Sequence, residues 1–459
     1  MDSIEHTLSQ LLPGQVSRRG LLQAGYSGLF GLGLSSILSG RERVAAAEAN
    51  SQPKPKSVLL IFLSGAMSHI DTFDMKPEAP LEIRGDFQPI ATSIPGYSIC
   101  EHLPQLAARA NKYAVVRSFS HEDNNHTQSA HHITTGEKQP GGFFDKTASR
   151  EDWPHYAGAL SYLRGGNEGM PCGVTLPNFL QAGPLVWPGQ LAGFLGATHD
   201  PWFINGDPNH PDLRVTELTL AQGLDVVQLG RRLTLLDEIN RQQRRFDDIG
   251  QSRQMHKSQH MAYDLLTSSR LTQAFDLKKV SDSVRNQYGR TIGGQSLLVA
   301  RRLIEAGVPI VQVNMNGWDT HDKNCEGLKN HLLPPLDQSV SALLDDMEAT
   351  GLLQETLVVM VSEFGRTPKI NGTQGRDHWG PCFFGVFAGA GVQGGQVIGR
   401  SDATGAYPSS RRYTPNDIGA TIYKALGIPL ETEVQDRLGR RVRLNSGEVI
   451  EPLFTAEIV

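Results

Sequence analysis

The stretch Ser57-Val-Leu-Leu-Ile-Phe-Leu63 is a continuous apolar run of strand length, which is typical of a β-strand buried on both faces of a sheet. Similar runs recur along the chain, and several have a helical pattern just upstream, with apolar residues at three- and four-residue spacing. Strands that alternate with helices predict an α/β fold with a mostly parallel central sheet. The other predicted strands are 113–116, 307–315, 356–361 and 382–388, and the predicted helices are 103–110, 295–306 and 336–349.

The composition is that of a globular protein. The 459 residues are 39% hydrophobic and 20% charged, and 43 Lys and Arg against 48 Asp and Glu give a net charge of −5. This balance excludes a strongly basic nucleic-acid binder and gives no electrostatic reason to expect an anionic membrane partner. The 4 cysteines form no Cys-x-x-Cys pair, which argues against zinc ribbons, iron–sulfur clusters and dithiol redox sites.

The first 49 residues have the layout of an export signal. Ser17-Arg-Arg-Gly-Leu-Leu-Gln23 places two arginines before a glycine-interrupted apolar run, and small residues that suit cleavage follow at 45–49. This is typical of a twin-arginine signal peptide, with a single membrane anchor as the alternative. We therefore predict a signal peptide over 1–49, a short linker over 50–56, a periplasmic or cell-surface location, and no membrane span in the mature chain.

The remaining sequence is predicted to form one α/β domain over 57–457. Within it, the stretch from about 218 to 284 is polar, charged and helical in character. It lacks the buried-strand runs of the rest, so we predict a helical insertion at about 215–285 rather than a second core.

Side chains that bind metals concentrate where the predicted strands end. In open α/β sheets, ligands bind beyond the carboxyl ends of the strands, so these positions are the first place to look for a site. Four of the 15 histidines fall within residues 121–132, in what we predict to be a short loop after the second strand. The other candidates are His69 and Asp71 after the first strand, Asp319 and His321 after the third, Glu363 after the fourth and His378 before the fifth.

Together these side chains predict a divalent-metal site built from loops at one edge of the sheet. His, Asp and Glu suit zinc, manganese or a similar ion, and two ions would hold an oxyanion for displacement at phosphorus or sulfur. Taken singly, each position has a structural alternative: a lone histidine after a strand often only makes a hydrogen bond, and Glu363 is close enough in sequence to Arg366 for a structural ion pair.

One glycine pattern does not indicate a nucleotide site. Gly389-Ala-Gly-Val-Gln-Gly394 matches Gly-x-Gly-x-x-Gly, but no helical pattern follows it and no acidic residue lies on a second strand about 20 residues on. We interpret it as a glycine-rich turn, which leaves an α/β oxidoreductase without a cofactor motif. There is also no Gly-x-Ser-x-Gly elbow of a serine hydrolase.

Several motifs together resemble a known family. Ser64-Gly-Ala-Met-Ser-His-Ile-Asp71, Gly317-Trp-Asp-Thr-His321 and Ser362-Glu-Phe-Gly-Arg-Thr-Pro368 are similar to the domain-of-unknown-function 1501 family, and the resemblance covers about residues 55–457. That family is in turn similar to the alkaline phosphatase, sulfatase and phosphoglycerate mutase superfamily. The resemblance implies a central, mostly parallel sheet sandwiched by helices and, in active members, two-metal or calcium-dependent cleavage of phosphate or sulfate esters.

The resemblance also assigns roles to residues. Asp319 and His321 resemble the superfamily's Asp and His ligands, Glu363 stands where a ligand Asp would be, and His378 resembles a late His ligand. The first strand departs from the pattern, because Ser64 and Gly65 replace the usual Asp; His69, Asp71 or Asp74 would then substitute.

The nucleophile position is the second departure. It falls on His126 and Thr127: either Thr127 would be an alkoxide nucleophile, or His126 would instead be a ligand or a phospho-acceptor. If neither acts in this way, the site would bind an anion without turning it over. His131 would carry protons or bind metal.

The sequence thus predicts an exported, metal-dependent hydrolase of phosphate or sulfate esters that uses one or two ions of zinc, manganese or calcium. A sulfated polysaccharide, a phosphoester and a phosphonate all suit as substrates, and no nucleic-acid partner is expected. The alternative is a non-catalytic cell-surface protein that keeps the fold and binds a metal or a polysaccharide. The oligomeric state stays open.

Overall fold

Ser57–Ser64 forms strand β1, and all eight of its residues are buried. It lies inside an eight-stranded sheet whose order is β8-β2-β7-β6-β1-β5-β3-β4. The computed structural model describes residues 57–141, 147–165, 170–210 and 268–455. The other strands of the sheet are β2 Ala114–Phe119, β3 Gly173–Leu176, β4 Trp202–Phe203, β5 Ile310–Asn316, β6 Thr356–Val361, β7 Phe383–Ala388 and β8 Val397–Ile398.

The centre of the sheet is parallel, which brings three strand ends together. β1 pairs in parallel with β5 on one side and with β6 on the other, so their carboxyl ends share one edge. Within the sheet, only β7 runs against its neighbours. Residues 362–382, between β6 and β7, contain no helix to carry the chain back across the sheet, and a parallel return requires such a crossover. β7 therefore starts at the edge where β6 ends.

Helices cover both faces of this sheet. The described α-helices are α1 Leu81–Arg84, α2 Pro104–Ala108, α3 His126–Thr135, α4 Tyr156–Arg164, α5 Ser269–Phe275, α6 Asp282–Gln287, α7 Ile292–Ala306, α8 Asn324–Gly327, α9 Leu333–Ala349, α10 Leu352–Glu355 and α11 Pro415–Ala425.

β1 contributes to two separate cores, and this explains why it has no polar face. Leu59 and Ile61 belong to the core that contains α7 and α9. Leu60 and Phe62 belong to the core that contains α4 and α11. Because successive side chains of a strand point to opposite faces, a strand covered on both sides must be apolar throughout. The predicted α/β class, with a mostly parallel sheet flanked by helices, is confirmed.

The histidine-rich segment corrects one prediction. It was expected to be a loop, but from His126 onward it is helix α3. The side chain of Asn125 accepts hydrogen bonds from the backbone N–H groups of Thr127 and Gln128, which satisfies donors that a helix start leaves unpaired. Gly136, with φ of 76°, ends the helix in the left-handed conformation.

Three short strands, β3, β4 and β8, were not predicted. Two of them have only two residues, and β3 (Gly173–Leu176) contains a glycine, so none has an apolar run long enough to be recognised. The predicted signal peptide over 1–49, the linker over 50–56 and residues 211–267 of the predicted insertion lie outside the described residues. The described end of that insertion holds α5 and α6. In the part of the chain that the structure describes, no helix is long and apolar enough to cross a membrane.

Buried histidines join helices to the sheet. The imidazole of His155 lies 2.8 Å from Gln312 Oε1 on β5, and burial lowers its pKa to about 4. Burial likewise lowers the pKa of His131 and of His132 on α3 to about 3. These rings are neutral in the folded protein because burial penalises their charged form.

We predict that acid destabilises this fold through the buried histidines. Their unfolded pKa is near 6.5, so on unfolding between about pH 6.5 and pH 4 each takes up a proton that it does not hold when folded. The stability is therefore present above pH 6.5 and is lost as the pH falls, by up to about 1.4 kcal/mol per pH unit for each histidine.

Denaturant unfolding at pH 7.5, 6, 5 and 4.5 measures this slope. His155→Gln should reduce it by nearly one proton, whereas His331→Gln, at an exposed position, should leave it unchanged. An unchanged slope in His155→Gln would show that this ring is not the source.

Candidate metal centre

One carboxylate oxygen lies at the centre of a ring of imidazoles. Asp319 Oδ1 is 3.0 Å from His321 Nε2, 3.2 Å from His378 Nε2 and 3.3 Å from His126 Nε2. The Nε2 atoms of His321 and His378 are 2.8 Å apart. These side chains come from three separate parts of the chain: after β5, before β7 and at the start of α3. The structure thus brings together Asp319, His321 and His378, predicted as ligands, and His126, predicted at the nucleophile position.

The other nitrogen of each imidazole is already hydrogen-bonded. His126 Nδ1 is 2.6 Å from Glu363 Oε1, His321 Nδ1 is 2.9 Å from Asp377 Oδ1, and His378 Nδ1 is 2.7 Å from the backbone oxygen of Asn124. Carboxylates and carbonyls accept hydrogen bonds, so each Nδ1 carries the proton. In the neutral rings, the three Nε2 lone pairs therefore face the Asp319 carboxylate.

Such a convergence of lone pairs fits a bound cation. Ligand-capable atoms of His126, Asp319 and His378 all lie within 4.8 Å of one another. Around a tetrahedral zinc with bonds of about 2.0 to 2.1 Å, ligand atoms are roughly 3.3 Å apart, which is close to the separations around Asp319. A metal-binding histidine commonly donates its second nitrogen to a carboxylate or carbonyl, as all three do here. The donor chemistry and the spacing therefore both suit a divalent metal.

Local backbone features place Asp319 next to the end of β1. Gly65 follows β1 with φ of +108°, a conformation that side-chain-bearing residues rarely adopt. A Cβ atom at Gly65 would lie 2.4 Å from the backbone nitrogen of Asp319. The backbone N–H of Gly65 donates to Glu363 Oε1 at 2.8 Å. The glycine that replaces the expected Asp thus lets the segments after β1, β5 and β6 meet.

A fully buried arginine holds the carboxylate. Arg366 Nη2 lies 2.5 Å from Asp319 Oδ1, and its Nε donates to the backbone oxygen of Ala66 at 2.9 Å. The same guanidinium donates to the backbone oxygens of Gly65 and Trp318. The sequence left open an ion pair between Arg366 and Glu363. In the structure, Arg366 is instead paired with Asp319.

These contacts shift the pKa values of Asp319 and His126. Partial burial would raise the pKa of Asp319, but hydrogen bonds with His126, His378 and Arg366 outweigh it and hold that pKa well below its usual range. Burial opposes a charge on His126, yet its contacts with Asp319 and Glu363 raise its pKa to about 9. The cluster therefore favours positive charge next to the carboxylate.

Glu363, predicted as a ligand, lies behind His126 rather than beside Asp319 Oδ1. Its side chain is fully buried, and Oε1 contacts the His126 ring while Oε2 has no hydrogen-bond partner among the described residues. Glu363 therefore orients an imidazole of the cluster. The ring of His126 is also stacked between Trp187, at a centroid distance of 5.5 Å, and Phe364, at 5.0 Å.

Two further predicted ligands, Asp71 and His69, lie apart from the cluster. Asp71 is fully buried, and its oxygens lie 2.6 and 2.8 Å from Nε and Nη2 of Arg376. Ser68 and Asn324 also donate to it. His69 is buried with Nε2 2.7 Å from the backbone oxygen of Gly405, and burial lowers its pKa.

The other predicted catalytic residues are engaged within α3 and its surroundings. The hydroxyl of Thr127 donates to Asn125 Oδ1 at 2.7 Å, in the cap of the helix. His131 Nδ1 lies 2.9 Å from the backbone oxygen of Glu137, and His131 Nε2 accepts a hydrogen bond from the backbone N–H of Trp153 at 3.2 Å. Both nitrogens of His131 are thus occupied by backbone partners away from Asp319.

Sequence reasoning missed the groups that orient the imidazoles. Asp377 immediately precedes His378, so the Asp-His pair was visible, but nothing in the sequence indicated that its carboxylate would contact His321. Asn124 acts through a backbone oxygen, which leaves no signal in the residue type. Trp187 lies in a short segment after β3 that had no predicted element.

The comparisons with known proteins agree with the motif resemblance. The profile of a family described as "Protein of unknown function (DUF1501)" matches residues 55–454, which confirms the predicted family. No curated protein sequence matches this chain significantly.

Solved structures also match the chain. It is similar to Ps i-CgsB in complex with k-i-k-neocarrahexaose, at 11% identity and a TM-score of 0.39, over 82% of this chain and 73% of that chain. It is similar to alkaline phosphatase from the Antarctic bacterium TAB5, at 11% identity and a TM-score of 0.37, over 82% and 99%. It is also similar to PsFucS1 sulfatase from Pseudoalteromonas sp., at 12% identity and a TM-score of 0.33, over 84% and 70%.

The placement of Asp71 generates a prediction that separates folding from metal binding. Asp71→Asn leaves the buried guanidinium of Arg376 without its counter-charge, which should destabilise the protein by about 3–5 kcal/mol. Denaturant unfolding measures this loss, with the exposed Asp322→Asn as the control that should change stability little. Loss of bound metal without loss of stability in Asp71→Asn would instead make Asp71 a ligand.

Proposed function

We propose that this chain, which belongs to the DUF1501 family, is a metal-dependent hydrolase of phosphate or sulfate esters. The observation that carries the proposal is the convergence of Nε2 of His126, His321 and His378 on Asp319 Oδ1, with each Nδ1 turned to an acceptor. Three imidazoles and a carboxylate form a donor set that zinc prefers, whereas calcium takes mainly oxygen ligands. Zinc is therefore the metal we propose.

The ion would be held by His126, Asp319, His321 and His378. When bound in such a site, a divalent metal polarises an ester oxygen and lowers the pKa of water. Asp319 and His321 are partly exposed, with 44% and 43% of their side chains open to solvent, so ester and water reach this side of the cluster. Hydrolysis then breaks the P–O or S–O bond, joins the water oxygen to phosphorus or sulfur, and releases the alcohol with a proton.

The surrounding residues have distinct tasks in this proposal. Arg366 fixes the Asp319 carboxylate, and its charge offsets the negative charge of the carboxylate near an anionic ester. Glu363 and Asp377 orient the imidazoles of His126 and His321. Because the Thr127 hydroxyl is buried and donates to Asn125, we assign the attack to water and Thr127 to the cap of α3.

A non-catalytic metal-binding protein is the second candidate. The observation that favours it is the end of β1, where Ser64 and Gly65 offer no carboxylate and the Gly65 backbone packs against Asp319. This alternative predicts bound metal without esterase activity, so the same preparation distinguishes the two.

Metal binding and activity should both depend on Asp319. Elemental analysis of the purified protein should find about one equivalent of zinc, and Asp319→Ala should lose it together with any hydrolysis of aryl phosphates or aryl sulfates, since the central ligand is gone. His102→Gln, at a partly buried histidine outside the cluster, should keep both. Absence of stoichiometric metal, or activity retained by metal-free protein, contradicts the proposed hydrolase.

Asp377 should strengthen metal binding through His321. Asp377→Ala removes the acceptor of His321 Nδ1–H, so the affinity for zinc should fall about 10–100-fold, as is usual for groups that orient a ligand. Competition with a chromophoric chelator measures this affinity, and Asp322→Ala is the matched control. Equal zinc affinities in the two variants would remove Asp377 from the site.

A further inference from the structure

A cavity of about 580 Å³ lies at the end of β5, the strand that leads to Asp319. One wall is Trp318, the residue directly before Asp319, and another is the end of β5 at Asn314, Met315 and Asn316. The cavity therefore opens at the carboxyl edge of the sheet, where ligands of α/β proteins bind. Because Trp318 directly precedes Asp319, a space of ligand-binding size begins one residue away from the proposed ester site.

The lining of this cavity is mainly apolar. Side chains of Ile292, Met315, Trp318, Leu332 and Leu336 contribute to it. Ile292 is one of these lining residues and is 49% exposed. The ionisable groups of the described lining are Asp207 and His331, and it contains no lysine or arginine.

This charge pattern selects between classes of substrate. A sulfated polysaccharide carries further sulfate groups next to the ester that is cleaved, and recognition of such groups relies on Arg and Lys. The described lining offers neither, and the Asp207 carboxylate would repel a second anion. An apolar group, in contrast, gains free energy by leaving water for this lining.

We propose that the cavity binds the apolar alcohol group of the ester, an aryl or alkyl group, and so makes the enzyme selective for phosphate or sulfate esters whose alcohol part is uncharged. This inference rests on the proposed function for the ester itself. The binding of the alcohol group, however, depends on the cavity and not on the metal. It can therefore be tested separately.

The test is calorimetric binding of 2-naphthol, an uncharged aryl alcohol, to the full chain. Ile292→Glu places a charge on the apolar wall and should weaken binding at least tenfold. This variant should fold, because Ile292 is exposed and begins α7, where an acidic residue is favourable. Leu81→Glu is the matched control, since Leu81 is 59% exposed and begins α1 away from the cavity; it should bind 2-naphthol like the unaltered protein.

Removal of the metal with a chelator separates failure of this inference from failure of the proposed function. The metal-free protein should keep its affinity for 2-naphthol within about twofold. Equal affinity in Ile292→Glu and the unaltered protein overturns the inference, and so does the absence of 2-naphthol binding up to its solubility limit. Binding of a sulfated carrageenan oligosaccharide that is lost in Ile292→Glu overturns it as well, in favour of a polysaccharide.

Discussion

The buried guanidinium of Arg366 joins the three central strand ends. It lies five residues beyond β6, donates to the backbone beyond β1 at Gly65 and Ala66, and contacts Asp319 beyond β5. A fully buried charge is stable only when its donors are satisfied, so the guanidinium requires these segments to stay in contact. The position of the Asp319 carboxylate, and with it the centre of the imidazole cluster, depends on this one side chain.

A second constraint fixes the direction of the imidazoles. Each ring in contact with Asp319 has its proton drawn outward by an acceptor that cannot donate, whether the carboxylate of Glu363, the carboxylate of Asp377 or the backbone oxygen of Asn124. The inner nitrogens are left as acceptors that face a carboxylate. Such an arrangement is electrostatically unfavourable by itself and becomes favourable when a cation or a proton lies between them. The chemistry of the site is therefore set as much by the outer hydrogen bonds as by the inner atoms.

The sequence was informative where a structural feature is determined by a local pattern of residues. An apolar run covers both faces of β1, so the central strand and the α/β class were recognisable, and Asp319, His321 and His378 stood out because they lie beside strand ends. The direction of β7 was not recognisable from the sequence, because it depends on the absence of a crossover helix in residues 362–382. Asp71 and Asp319 look alike in sequence, and only the approach of Arg376, about 300 residues away, commits Asp71 to a structural ion pair. Long-range contacts of this kind decide the role of a carboxylate and leave no local pattern.

The stacking of His126 between Trp187 and Phe364 has a consequence for the size of ion that the cluster admits. A ring held on both faces cannot tilt, so its nitrogen keeps a fixed position relative to the core. Asp319 is held by Arg366, so His321, with 43% of its side chain exposed, is the member with the most room to move. In the proposed metal site, a cation of larger ionic radius would have to be accommodated by a shift of His321, on the solvent side. If the cluster binds a metal as proposed, its discrimination between ions would be set by how far His321 yields on the solvent side.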